Sequence, residues 1–210
     1  MQRVRSVKAY QQHRFERTYA DLLVSPRYEG AARFFLDELY GPADYTERDA
    51  QFMRVVPALV RLFPQAIVET VQTLVSLHAL SESLDTAMGQ ALAHPMLDAA
   101  HYHRAWLATG QAEARERQIG LLVALGTELE RLTRKPLLRH SLRMMRAPAR
   151  AAGLDQLQVL LENGFDTFHA MRGAGQFLAT IAGRERALAA ALFSSPSLDA
   201  LEPTYRAQLP

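Results

Sequence analysis

The sequence predicts an all-α protein, and three observations lead to this prediction. The long stretches between prolines are rich in Ala, Leu, Arg, Gln and Glu, which have high intrinsic helix propensity. Apolar residues such as Ile67, Val71, Leu74 and Val75 recur at helical spacing. No β-branched run alternates with the period of two that a strand requires. We expect one domain of about eight helices, with globin-like orthogonal packing or as a bundle.

Prolines and glycines predict where each helix ends. Ser25-Pro26 and Gly41-Pro42 close the first two helices, and Gly110 and Gly153 stand where C-caps are expected. Phe63-Pro64 and His94-Pro95 bracket the longest apolar stretch, while Thr46 and Asp49 resemble a capping box before the third helix. The predicted helices are 3–23, 27–40, 46–62, 65–92, 96–109, 111–134, 136–152 and 154–194.

Three of these helices contain residues that disturb a regular helix. Pro57 predicts a kink in the third helix, and Pro148 predicts a bend in the seventh. The last pattern is long and contains four glycines, so we expect one break or very close packing there. Residues 1–194 are predicted to form the single domain, followed by a proline-containing tail over 195–210.

Composition excludes several classes of protein. The 210 residues are 49% apolar and 22% charged, which is typical of a globular chain rather than a disordered one. Without Cys, the chain can form no disulfide, thiolate metal site or cysteine nucleophile. No secretory signal and no apolar run of membrane-spanning length is present, so we predict a soluble cytoplasmic protein. Nucleotide-binding and nucleophile-elbow motifs are also missing, and no catalytic or metal-ligating residue is nominated.

Charge is segregated along the chain. Seven Lys or Arg and no acid lie between Arg131 and Gly153, whereas Leu62 to His103 carries four acids and no Lys or Arg. Within the basic segment, four residues recur at helical spacing and form what we call the arginine stripe: Arg139, Arg143, Arg146 and Arg150.

The arginine stripe has two interpretations. As a structural feature it is a solvated helix face, paired with Glu128, Glu130 or the acidic segment. As a functional feature it binds an acidic protein partner or another polyanion. Nucleic acid is disfavoured because the stripe lacks aromatic residues on which bases could stack.

A second candidate site lies on the longest apolar helix. His78, Glu82 and Asp85 continue the inward face of that helix, and His103 follows on the next one. In one interpretation the apolar stripe changes phase along the helix and the polar residues face water. In the other they line a functional pocket, since a buried carboxylate must be paired or protonated and such groups cluster at functional sites.

His78 and His103 resemble the distal and proximal histidines of globins in spacing and helix count. This resemblance implies a haem pocket with Phe52 or Phe63 at its corner. Trp106 counts against haem, because its side chain would have to be accommodated beside the ring. A di-iron site is disfavoured because the chain contains no Glu-x-x-His, only Asp98–His101 and Asp166–His169.

A longer motif resembles a family of uncharacterised bacterial proteins. It comprises Phe34-Phe35-Leu36-Asp37-Glu38-Leu39-Tyr40-Gly41, then Asp44 and Arg48-Asp49, and later Phe177-Leu178 and Arg184-Glu185. This resemblance implies no activity.

The function predicted from the sequence is a non-enzymatic helical module that binds an acidic partner or anionic ligand through the arginine stripe. The alternative is a protein that binds a small ligand or a cofactor such as haem near His78, Glu82, Asp85 and His103. Self-association into a homo-oligomer is compatible with both.

Overall fold

The computed structural model of the chain describes residues 2–39, 65–93, 96–151, 153 and 155–210. Every regular element within these ranges is helical, which confirms the predicted all-α class. The predicted helix 46–62, with the Thr46 cap and the Pro57 kink, lies outside the described residues, as do Phe52 and Phe63.

The first two predicted helices are each divided in the structure. α1 (Gln2–Thr18) ends before Tyr19, and a short α2 (Ala20–Leu23) completes the first predicted stretch. α3 (Glu29–Phe34) continues into a π-helical turn at Phe35–Leu39. The buried residues Val7, Tyr10, Arg14 and Thr18 recur on one face of α1, and they hold it against the body of the protein.

The middle of the fold is formed by α4 (Gln65–Ala91), α5 (Ala99–Thr109) and α6 (Ala112–Thr133), close to the predicted ranges. α5 begins three residues later than predicted because Asp98 is its N-cap and accepts a hydrogen bond from the His101 amide at 2.7 Å. Gly110 ends α5 with a φ of 61°, as the predicted C-cap requires.

The last two predicted helices, 136–152 and 154–194, are each divided into two helices in the structure. α7 (Pro136–Met144) and α8 (Arg146–Ala151) replace the single bent helix 136–152. The break falls at Met145 rather than at Pro148, because Pro148 has no N–H to donate to the carbonyl of Met144. α9 (Asp155–Ala170) and α10 (Gly175–Ser194) confirm the predicted single break, where Arg172 and Gly173 have φ values of 52° and 127°.

Two apolar clusters form the core. One joins the corner formed by α1, α2 and α3 to α4, α6, α9 and α10, around Phe35, Phe168 and Phe177. The other joins α1, α4, α5 and α10 around Met88, Tyr102 and Leu192. The segment 195–210 adds a 3₁₀ turn and α11 (Pro203–Arg206), and buries Leu201 and Leu209 in the second cluster.

Candidate functional site

The arginine stripe lies across α7 and α8, and half of it is held by α9. Arg139 Nε donates to Asp166 at 2.8 Å, and Arg146 Nε donates to Glu162 Oε1 at 2.7 Å. The hydrogen bonds from Arg146 hold the pKa of Glu162 below its usual value. Glu162 and Asp166, which simple packing would turn to solvent, are therefore the partners of this half of the stripe.

The other half of the stripe, Arg143 and Arg150, is exposed and makes no ion pair with any residue that the structure describes. The acids expected as partners are engaged elsewhere: Glu128 pairs with Arg131, and Glu130 pairs with Arg134. The stripe thus consists of two arginines that pair with α9 and two that form no ion pair with the described residues.

α7 exposes two large apolar side chains to solvent. Leu137 is 80% exposed and Met144 is 63% exposed. At 100° per residue these two share one face with His140, and Arg143 borders that face. We call Leu137, His140, Arg143 and Met144, together with Arg150 of α8, the α7–α8 surface.

The four residues of the second candidate site have different surroundings. Glu82 is half-buried and pairs with Lys8 of α1, whereas Asp85, one turn later on α4, is buried. His78 is half-buried on the same helix. His103 is fully buried on α5, where its Nε2 lies 3.0 Å from the carbonyl oxygen of Leu192.

Asp85 belongs to a buried network between α4, α1 and α6. Burial raises the pKa of its carboxyl to about 6, while the charges of Arg115 and Lys8 and a hydrogen bond with Gln11 act in the opposite direction.

Sequence reasoning missed the two arginines at the centre of this region. Arg14 donates from Nη1 and Nη2 to the two carboxylate oxygens of Glu185, at 2.9 and 2.8 Å. Arg115 stacks on the ring of Trp106, with its guanidinium carbon 4.4 Å from a ring centroid, and donates to Gln118 at 3.1 Å. The sequence signal for Arg14 is its position on the apolar face of α1, at i+7 from Val7.

These side chains line a cavity of about 40 Å³ between α1, α5, α6 and α10. Tyr102, Phe15, Ile119 and Leu188 complete its walls. Two buried N–H groups on lining residues, Arg14 Nε and Trp106 Nε1, have no hydrogen-bond partner among the described residues.

The described residues offer neither a metal site nor a membrane-spanning helix. They contain no group of three or more His, Asp or Glu side chains that could hold a metal ion. No helix among them is long and apolar enough to cross a membrane.

The fold and the cavity define an all-α protein with two arginines buried at the meeting point of its main helices. The chain belongs to a family described as a domain of unknown function (DUF8198), whose model matches residues 1–198. No curated protein and no solved structure matches the chain. The globin-like packing therefore stays a prediction.

Proposed function

We propose that this protein is a binding module and that its α7–α8 surface docks an acidic, partly apolar segment of a partner protein. The observation that carries the proposal is the exposure of Leu137 and Met144 on a surface with Arg143 and Arg150, neither of which forms an ion pair with the residues that the structure describes. Contiguous exposed apolar residues mark interaction sites, and Met and Arg are both enriched in protein interfaces.

Charge complementarity indicates that the partner segment bound at the α7–α8 surface is acidic. Arg143 borders the apolar side chains of α7 and Arg150 adds a second exposed positive charge on α8, so a matching segment carries Asp or Glu as well as apolar residues. Arg139 and Arg146 are already neutralised by α9, and they fix the surface rather than supply binding charge. A lipid surface is disfavoured because the helix breaks at Met145, so neither α7 nor α8 offers a long amphipathic face.

The alternative of a haem-sized cofactor receives less support. The cavity of about 40 Å³ holds roughly three water-sized groups, and His103 already contacts a backbone carbonyl. We therefore place the partner-binding role first.

Site-specific photocrosslinking tests the proposal. A photoreactive phenylalanine analogue at Leu137 should trap a protein in the native host that the same analogue at Val24, an equally exposed residue, does not trap. The trapped protein is then purified and its affinity for this chain is measured by calorimetry.

Matched charge reversals test whether the partner binds at the α7–α8 surface. Arg143→Glu with Arg150→Glu should weaken binding at least ~10-fold, whereas Arg3→Glu with Arg5→Glu makes the same charge change on exposed positions of α1 and should not. Equal effects of the two pairs would disprove the proposal. So would a crosslink only to a second copy of this chain, or binding to anionic vesicles without any protein partner.

A further inference from the structure

We propose that Met144 of the α7–α8 surface is a redox modification site, whose oxidation to the sulfoxide by a peroxide releases the bound partner. Met145, the next residue, is oxidised with it. This regulation rests on the proposed function, because it acts on the surface that docks the partner. The modification itself does not depend on a partner and is measured on the chain alone.

Exposure divides the methionines that the structure describes into two groups. Met144 is 63% exposed, and Met145 is 39% exposed at the break between α7 and α8. Met88 and Met171, in contrast, are 0% and 1% exposed within the two core clusters. A peroxide in solution therefore reaches the thioethers at the α7–α8 break while those of the core stay protected, so oxidation there leaves the core packing intact.

The composition of the chain directs an oxidant to these thioethers. The chain contains seven methionines and no cysteine. No thiol of its own can intercept a peroxide, so methionine thioethers are the sulfur groups that it can oxidise, and exposure decides among them.

The oxidation is a two-electron step that a peroxide completes by itself. The Met144 sulfur attacks one peroxide oxygen, so that a sulfur–oxygen bond forms and the oxygen–oxygen bond breaks. With hydrogen peroxide, the leaving hydroxide takes the proton from the sulfur-bound oxygen and departs as water. The thioether is thereby oxidised to a sulfoxide and the peroxide is reduced. Methionine sulfoxide reductases reverse the change at the expense of a thiol reductant.

Oxidation changes the apolar part of the α7–α8 surface. Met144 shares the exposed face of α7 with Leu137, which is 80% exposed. The sulfoxide replaces an apolar thioether by a polar S=O group, whose desolvation beneath an apolar residue of the partner is unfavourable. The charges of Arg143 and Arg150 are unchanged. Oxidation therefore removes apolar recognition and keeps the electrostatic attraction.

Peptide mapping by mass spectrometry measures the modification itself. The purified chain is treated with hydrogen peroxide at neutral pH, quenched with catalase and digested. Met144 should form sulfoxide at least ~10-fold faster than Met88 and Met171, while circular dichroism keeps its helical signal. Met96, which is 84% exposed, is the reference for an accessible methionine. Oxidation of Met144 at the slow rate of the core methionines would overturn the proposal.

Photocrosslinking from Leu137 measures the consequence for binding. The chain that carries the photoreactive analogue is oxidised, freed of peroxide and added to a desalted host lysate, in which sulfoxide reductases lack their reductant. The yield of crosslinked partner should fall at least ~5-fold and return after treatment with purified reductase and thiol. Equal yields from oxidised and untreated chains would overturn the regulation alone. Absence of a crosslinked partner from the untreated chain would overturn the proposed function, and the regulation with it.

Leucine variants assign the effect to individual methionines. Met144→Leu with Met145→Leu keeps apolar side chains that a peroxide cannot oxidise, so its crosslinking yield before peroxide, whatever its size, should persist afterwards. Met96→Leu is the matched control, because it removes an exposed thioether that is not part of the α7–α8 surface. This control should lose yield on oxidation like the unsubstituted chain.

An equal loss of yield in the double variant would show that other methionines are responsible, and would disprove the proposal. If the double variant does not bind, the Met96→Leu chain decides instead. Its loss of yield should then follow the sulfoxide content of Met144 in the mass spectra, and a loss that does not follow it would disprove the assignment.

Discussion

Arg14 and Glu185, 171 positions apart in the chain, form a two-pronged ion pair that joins α1 to α10. Both are largely buried, and the Tyr19 hydroxyl donates to the same carboxylate. The pair fixes the position of the Arg14 side chain between the two helices.

Removal of the Glu185 charge should destabilise the protein strongly. Glu185→Gln leaves a buried guanidinium without its anion, which we expect to lower the free energy of unfolding by about 3 kcal/mol. Glu116→Gln is the matched control, because Glu116 also bonds an arginine of α10, Arg186, but in an exposed pair. The control should change stability by less than about 1 kcal/mol in urea denaturation. Equal losses would show that Arg14–Glu185 is no stronger than a surface pair.

Asp85 should make stability depend on pH. Its folded-state pKa of about 6 lies above the ordinary value of 3.8, so the folded protein favours the protonated carboxyl. The protonated Asp85 carboxyl therefore stabilises the folded protein fully below about pH 4, and this contribution is lost as the pH rises through 6. Asn cannot ionise, so Asp85→Asn keeps its stability as the pH rises. Its free energy of unfolding should exceed that of the wild type by roughly 1–3 kcal/mol at pH 7.5 and differ little from it at pH 4.

Urea unfolding of both proteins at several pH values measures this difference. Carboxyls with lowered pKa, such as those of Asp21 and Glu162, contribute equally to both proteins, so they cancel in the comparison. A constant difference between wild type and Asp85→Asn across pH 4–7.5 would contradict the assignment.

Two glycines of α6 should respond oppositely to alanine. A Cβ at Gly126 would lie 2.5 Å from Leu178 Cδ2 of α10, so Gly126→Ala must displace Leu178 and should cost about 1–3 kcal/mol. A Cβ at Gly120 meets nothing within 4 Å, so Gly120→Ala should stabilise the helix by about 0.5–1 kcal/mol. Thermal unfolding of both variants measures the two effects. A stabilising Gly126→Ala would show that α6 and α10 are not packed this closely.

Exposed Leu137 should contribute little to folding. Leu137→Ala should change the free energy of unfolding by less than about 0.5 kcal/mol, because the side chain is 80% in solvent. Leu84→Ala, the same substitution at a buried position of α4, should cost about 2–5 kcal/mol. Chemical denaturation of the two variants tests the contrast. A large loss at Leu137 would mean that it is a core residue and not part of a binding surface.

The sequence determined the class of fold and many helix ends because those depend on local physics. Helix propensity and apolar spacing predicted α4 and α6 nearly to the residue, and Gly110 predicted the end of α5. The break at Met145 was displaced from the predicted bend because Pro148 removes a hydrogen bond one turn earlier.

Tertiary structure alone decided how the polar residues are used. The partners of Arg139 and Arg146 come from α9, and the partner of Arg14 comes from the other end of the chain. Periodicity indicates which face of a helix a residue occupies, but not which residue of another helix opposes it. For that reason the sequence left open whether Asp85 faces water or the interior, where the structure buries it, and gave no indication that Arg14, Arg115 and Trp106 line one cavity.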